Sequence, residues 1–358
     1  AGTLRAAVGV PVFVAGRINQ PQIAEEVLSA GLADMCGMTR ALISDAEMPV
    51  KAASGRLDDI RACIGCNQAC IGPFHMGYSI SCIQNPVSGR ESKLASPAPI
   101  TGKRRILVAG AGPGGMKAAV IAAERGHDVI LCERSSRLGG QVRLAELLPG
   151  RAEFGGLVTN LERELQRAGV EVRLRTEVSS ALVRELAPDA VIVATGATPH
   201  MPDIEGREDG HVVEAWDVLT AKANPGSRVL VADWRCDWVG IGLAEKLQRD
   251  GRHVRLAVNG VNAGQNLPIY LRDHLMAKLH EAGVEIIPYA RIYGVDGETA
   301  YLLHISSGKP IVCEGVDTVV VAHGHASDAR LEHELSGLGI PVHAIGDCLS
   351  PRTAEEAV

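Results

Sequence analysis

The stretch Gly110-Ala111-Gly112-Pro113-Gly114-Gly115 restricts the fold more than any other part of this chain. An apolar run, Arg105 to Ala109, leads into it, and a helix is predicted after it from Met116 to Arg125. His127 to Cys132 then reads as a second buried strand ending at Glu133. Strand, glycine turn, helix, strand and terminal carboxylate form the fingerprint of a dinucleotide-binding βαβ unit. Gly110 makes the turn, Gly112 lets backbone approach a diphosphate, and Gly115 lets helix and strand pack closely. The positive end of the helix favours the diphosphate charge, and Glu133 is placed to accept from ribose hydroxyls. Gly114 and Arg134 flank these positions and join the candidate site. Further along, Leu138-Gly139-Gly140-Gln141, a strand ending at Thr195-Gly196, and a strand ending at Gly346-Asp347 are further glycine turns in the order a flavin site needs.

The second constraint is cysteine spacing. Cys63, Cys66, Cys70 and Cys82 lie within a short window, and the other five of nine cysteines are scattered singly. Three thiols on one tight loop, with a fourth closing from the far side, suit a thiolate cage for an iron–sulfur cluster. Zinc is the first rival, since it also takes four thiolates, usually as two separated C-x2-4-C pairs. Disulfides are a weaker one, given an odd cysteine count in a long chain.

At the start, Val10 to Gly16 reads as a buried parallel strand, Pro21 to Ala30 as a helix, and Ala33 to Gly37 as the next strand. This is a βα repeat, and two strands cannot close a barrel alone. In (β/α)8 barrels the loops after the last strands commonly hold a phosphate. Gly16, Gly37 and Arg40 stand at those ends, although Arg40 could equally be a surface ion-pair residue. No apolar run approaches the roughly 18 residues of a membrane span. A net charge of −6 argues against a nucleic-acid or membrane-surface binder. A cytoplasmic homo-oligomer is expected.

Between the glycine turns, Arg228 to Ala232, Val239 to Arg249 and His253 to Val258 repeat the strand–helix–strand pattern. Laid on the first unit without gaps, Asp233 falls at Gly110, Arg235 at Gly112 and Trp238 at Gly115. All three glycine positions are then lost, which argues against competent binding of a nicotinamide dinucleotide. His323 and His325 flank a glycine after a buried strand, where local turn roles are expected.

Taken together, these motifs resemble the iron–sulfur flavoenzyme family of trimethylamine dehydrogenase and 2,4-dienoyl-CoA reductase, over nearly every residue. The resemblance implies an α/β architecture: the end of a TIM (β/α)8 barrel, a 4Fe–4S loop, and two dinucleotide domains of glutathione-reductase type. The corresponding boundaries are 1–60 for the FMN-barrel end and 61–100 for the cysteine loop and linker. The FAD domain takes 101–205 and 315–358, with an inserted NAD(P)-like domain at 206–314. It implies a 4Fe–4S cluster on Cys63, Cys66, Cys70 and Cys82, FMN phosphate at Gly16, Gly37 and Arg40, and FAD (or ADP) on the glycine motifs. The altered second loop is similar to that of demethylases of N-methylated amino acids such as dimethylglycine or N-methylproline. In these, oxidation at an N-methyl carbon reduces FMN, the iminium is hydrolysed to formaldehyde, and electrons leave through the cluster to an electron-transfer flavoprotein. The methylated amine would bind on earlier barrel strands, so the rest of the barrel is an expected partner, both chain ends read as cut, and no catalytic acid, base or nucleophile is named. Two alternatives stand: an NAD(P)H-dependent 2,4-dienoyl-CoA or enone reductase, and a non-catalytic electron-transfer subunit.

Overall fold

The computed structural model describes residues 1–95 and 100–358, so part of the linker expected at the end of 61–100 lies outside the described residues. The chain forms two compact units. One holds Ala1–Val142, Glu153–Gly196 and Ala329–Val358; the other holds Arg143–Ala152 and Ala197–Asp328. The second unit is thus wider than the 206–314 segment expected.

The first unit begins with β1 (Phe13–Ala15), the helix Pro21–Ser29 and β2 (Met35–Gly37), with β1 and β2 paired in parallel. Its main sheet then takes β3 (Arg105–Ala109), β4 (Asp128–Glu133), β5 (Glu171–Leu174) and β6 (Ala190–Val193). The short apolar runs become parallel strands because both faces are covered, one by the helix Pro113–Glu124 and the other by the helices Ser180–Leu186 and Arg330–Leu335. Leu107, Val108, Leu131, Val191 and Val193 are all essentially inaccessible to water. The helix Gly155–Ala168 ends at Gly169 with φ 70, a left-handed C-cap that a side chain would strain.

In the second unit, β7 (Ala197–Pro199) pairs antiparallel with a strand near the unit's end. A parallel sheet is built from β8 (Val212–Glu214), β9 (Arg228–Asp233), β10 (His253–Val258) and β11 (Glu285–Ile287). An antiparallel meander, β12 (Ala290–Asp296), β13 (Thr299–His304) and β14 (Pro310–Glu314), packs on it through Ala300, Leu302 and Cys313. Then β15 (Thr318–Ala322) completes the parallel sheet and β16 (His325–Ser327) is the partner of β7. The chain returns to the first unit with β17 (Val342–Ala344).

The two parallel sheets have the same plan. One runs β17-β6-β3-β4-β5 and the other β8-β15-β9-β10-β11, so β3 and β9 are equivalent first strands. Among the described residues, no helix is long and apolar enough to cross a membrane.

Candidate functional site

The four cysteines of the short window line one cavity, together with Ile43, Ile64 and Ile83 and the side chain of Arg40. Cys70 is buried and the other three are partly buried. Backbone turns bring them round: Gly65 (φ 64) and Asn67 (φ 58) are left-handed. Side chains then fix the turns. Asn19 Nδ2 donates to Cys63 O at 2.7 Å, and Gln84 Nε2 to Ala62 O at 2.6 Å. Asn160 Nδ2 in turn donates to Gln84 Oε1 at 2.6 Å. Arg40 Nη1 donates to Asn67 Oδ1 at 2.8 Å. Arg17 and Glu153 form an ion pair beside Gly65.

Four cysteines on one cavity wall are a donor set of the kind that thiolate-bound metal centres use. Burial, with the amide of Gln68 opposing it and the nearby Cys82, Cys70 and Cys63 reinforcing it, pushes the Cys66 thiol up to about 12. Burial raises the Cys70 thiol as well. Two buried polar atoms of this stretch, Gln68 Oε1 and Ser81 Oγ, have no hydrogen-bond partner. Among the described residues, no group of three or more His, Cys, Asp or Glu side chains is drawn together tightly enough for a single metal ion.

Just upstream of the first cysteine, Arg61 anchors the loop. Its Nε donates to Glu164 Oε1 at 2.9 Å, and Lys117 Nζ sits 2.8 Å from Glu164 Oε2. Burial raises the Glu164 carboxyl, but Arg61 and Lys117 outweigh it and hold the group below its ordinary value. Asp45 accepts from Lys51 Nζ at 2.7 Å and from the Arg61 amide at 2.9 Å. Asn19, Gln84, Asn160 and Glu164 escaped the sequence reading. Only Gln84, two residues past Cys82, carried a local signal.

At the fingerprint, the glycines meet steric demands. A Cβ on Gly115 would lie 2.0 Å from Gly110 O, and one on Gly110 would lie 2.4 Å from Ala194 O. Gly112 caps the helix Pro113–Glu124, and a Cβ on Gly140 would stand 3.0 Å from Gly112 Cα. Gly114 faces Ala357 O, at 2.7 Å from its added Cβ. Glu133 is buried and accepts from the amides of Ala111 (2.9 Å) and Ser135 (2.8 Å), which fixes its carboxylate beside the turn. Gln141 Nε2 donates to Asp347 Oδ2 at 3.0 Å and lies 3.7 Å from an added Cβ on Gly196. Thr195, Gly196, Gly346 and Asp347 are therefore gathered with Gly140 and Gln141 near that helix start, whereas Arg134 is exposed. Gly16 (φ 127) directly follows β1, and Gly37 is the last residue of β2.

The second unit corrects one expectation. Strands β3 and β9 align Ala109 with Ala232, but the turn after β9 is two residues longer before its helix, Trp238–Arg249. The residue at the Gly115 position is therefore Gly240, not Trp238. Its added Cβ would lie 2.2 Å from Asp233 Cγ, so close packing of helix on turn is retained. What fills the turn is a carboxylate. Asp233 Oδ1 accepts from the amides of Arg235 and Cys236, each at 3.0 Å, while the buried Oδ2 has no partner. Burial and the neighbouring Asp237, against those two amides, push the Asp233 carboxyl up to about 8. Trp234 stacks on His323 with ring centroids 5.8 Å apart. Burial, then His200 and Arg291, lowers His323 to about 4. Trp216 Nε1 donates to His325 Nε2 at 3.2 Å.

Residues 104–347 match the pyridine nucleotide-disulphide oxidoreductase family, and residues 1–59 match the NADH:flavin oxidoreductase / NADH oxidase family. The chain belongs to the pyridine nucleotide-disulphide oxidoreductase family. Its leading segment adds the NADH:flavin oxidoreductase match, so the resemblance drawn from the cysteine and glycine motifs holds and flavin binding follows from it. It is 32% identical to the N,N-dimethylglycine/sarcosine dehydrogenase of Chromohalobacter salexigens, over 98% of this chain and 56% of that protein. It is 42% identical to an NADH oxidase of Thermoanaerobacter brockii, over 99% of this chain and 55% of that protein. Among solved structures, the 6-hydroxypseudooxynicotine amine oxidase of Pseudomonas geniculata is 28% identical with a TM-score of 0.92, covering 99% of this chain and 56% of that one. The chain thus spans a little over half the length of the curated relatives it matches.

Proposed function

We propose that this oxidoreductase family member carries electrons from a methylated amine through flavin and a 4Fe–4S cluster. The observation that carries the reading is the placing of Cys63, Cys66, Cys70 and Cys82 round one cavity. They share a compact unit with Gly16, Gly37 and the Gly110–Gly115 turn. When bound, the cluster supplies one-electron transfer. In this reading the chain's residues hold and insulate. Asn19, Gln84 and Asn67 fix the cysteine loop, Gly112, Gly115 and Glu133 receive an adenine dinucleotide, and Gly16, Gly37 and Arg40 receive the FMN phosphate. The similarity to a dimethylglycine/sarcosine dehydrogenase supports an N-methyl amine as substrate. The buried Asp233 in the second turn supports an electron source other than a nicotinamide, because its side-chain oxygen takes the amides a diphosphate would need.

A second reading, an NAD(P)H-dependent reductase, is favoured by the 42% identity to an NADH oxidase and by the retained Gly240. Anaerobic mixing of the parent enzyme separates the two. Dimethylglycine or a related N-methyl amino acid should bleach the flavin, with formaldehyde released, while NADH and NADPH should leave it oxidised. Rapid bleaching by a reduced nicotinamide, with none by the amines, would establish the reductase.

A further inference from the structure

Arg40 faces the cysteine cavity as well as the end of β2. Its Nη1 donates to Asn67 Oδ1 at 2.8 Å, and its side chain shares the cavity wall with the four cysteines. Among the described residues it is the one charged side chain in that wall. Asn67 stands between Cys66 and Cys70 in left-handed backbone, and its carbonyl accepts from Gly72 N at 3.0 Å. Arg40 therefore grips the turn that spaces the second cysteine from the third. Ile43, Ile64 and Ile83 make much of the remaining wall. A fixed charge is weakly screened in such apolar surroundings.

We propose that Arg40 is a positioning residue that sets the reduction potential of the four-cysteine centre. The inference rests on the iron–sulfur reading above. Reduction adds one electron to a thiolate-bound centre that is already negative, and no bond forms or breaks. A guanidinium pinned beside the thiolates by Asn67 stabilises that extra charge and raises the potential. This role is separate from any hold on phosphate, since the bond to Asn67 points to the cysteine loop.

The test uses the parent enzyme with its iron and sulfide, compared with Arg40→Gln, Arg40→Lys and Asn67→Asp. Iron and acid-labile sulfide are assayed, and each protein is titrated with dithionite, the electron donor, while the reduced centre is followed by electron paramagnetic resonance. Arg40→Gln should keep the parent's iron and lower the reduced-to-oxidised ratio at fixed potential about ten-fold, equivalent to ~59 mV for a one-electron couple. Arg40→Lys should recover most of that shift. Asn67→Asp keeps the contact but neutralises the guanidinium, so it should move the potential in the same direction as Arg40→Gln, and it carries the test if that variant does not hold iron. Unchanged potentials in the iron-loaded Arg40→Gln or Asn67→Asp protein overturn the inference, as does an Arg40→Lys shift as large as that of Arg40→Gln. A parent chain binding zinc or no metal overturns the iron–sulfur reading itself, and this inference with it.

Discussion

Asp233, at the end of β9, and His323, just past the neighbouring β15, shift in opposite senses, which makes the second unit's stability depend on pH in a calculable way. Folded Asp233 keeps its proton up to about 8, and folded His323 stays neutral down to about 4. In an unfolded chain the same groups titrate near 3.9 and 6.5. Between pH 6.5 and 8, the folded state therefore binds one proton more than the unfolded state. Stability falls there by up to ~1.4 kcal/mol per pH unit, or ~2 kcal/mol across the window. Between pH 4 and 6.5, the unfolded histidine holds a proton that the folded one refuses, which cancels the proton on folded Asp233, and the two leave a plateau. Asp233→Asn keeps an oxygen for the amides of Arg235 and Cys236 and mimics the protonated acid. It should abolish the loss above pH 6.5 and unmask a fall below it, of up to ~3 kcal/mol by pH 4, from His323 alone. The charged and titratable neighbours are Asp237, Arg235 and Cys236 about the first group, and His200 and Arg291 about the second. The thiol of Cys236 is pushed up to about 11 and stays outside the window. All three tryptophans, Trp216, Trp234 and Trp238, belong to this unit, so urea titrations followed by tryptophan fluorescence report it selectively. A parent protein equally stable at pH 6.5 and 8, or an Asp233→Asn protein that keeps the alkaline loss, would refute the reasoning.

Other outcomes follow from single contacts. Gly115→Ala places a Cβ 2.0 Å from Gly110 O, so strand and helix must part by roughly 1 Å; overpacking of this kind costs ~1–3 kcal/mol, and flavin retention should drop with the melting temperature. Equal flavin content in parent and variant would contradict the assigned contact. Cys66→Ser should lose iron on gel filtration while far-UV circular dichroism keeps the α/β signature, and full iron retention would exclude Cys66 as a ligand. Glu164→Gln leaves Arg61 and Lys117 without their carboxylate, with an expected loss of ~3 kcal/mol in urea midpoint experiments near neutral pH. The sign is that of a depressed carboxyl: the contribution is present above its ordinary pKa and lost as pH falls through the lowered one, so parent and variant should converge in acid.

Much of the first unit was legible because its information is local. Gly110, Gly112 and Gly115 announce a turn, and the flanking apolar runs announce the strands that carry it. Cysteine spacing likewise announces a loop that converges. The second turn was less legible. A gap-free register put Trp238 at the glycine position, whereas the longer turn after β9 restores Gly240 there. Turn length is not encoded by residue type alone. It depends on where Asp233 folds back to meet the amides of Arg235 and Cys236.

By itself the sequence determined the α/β class, the family resemblance, and which thiols and glycines are worth watching, because motifs of this kind constrain backbone within a few residues. Only tertiary structure decided what stands around them. Asn160 reaches Gln84 across 76 positions, and Glu164 meets Arg61 across 103. Arg40, read first as a phosphate residue, also grips Asn67 beside the four thiols. Such neighbours are set by packing of distant segments, where burial makes each polar group find a partner, and no local spacing records which partner that is.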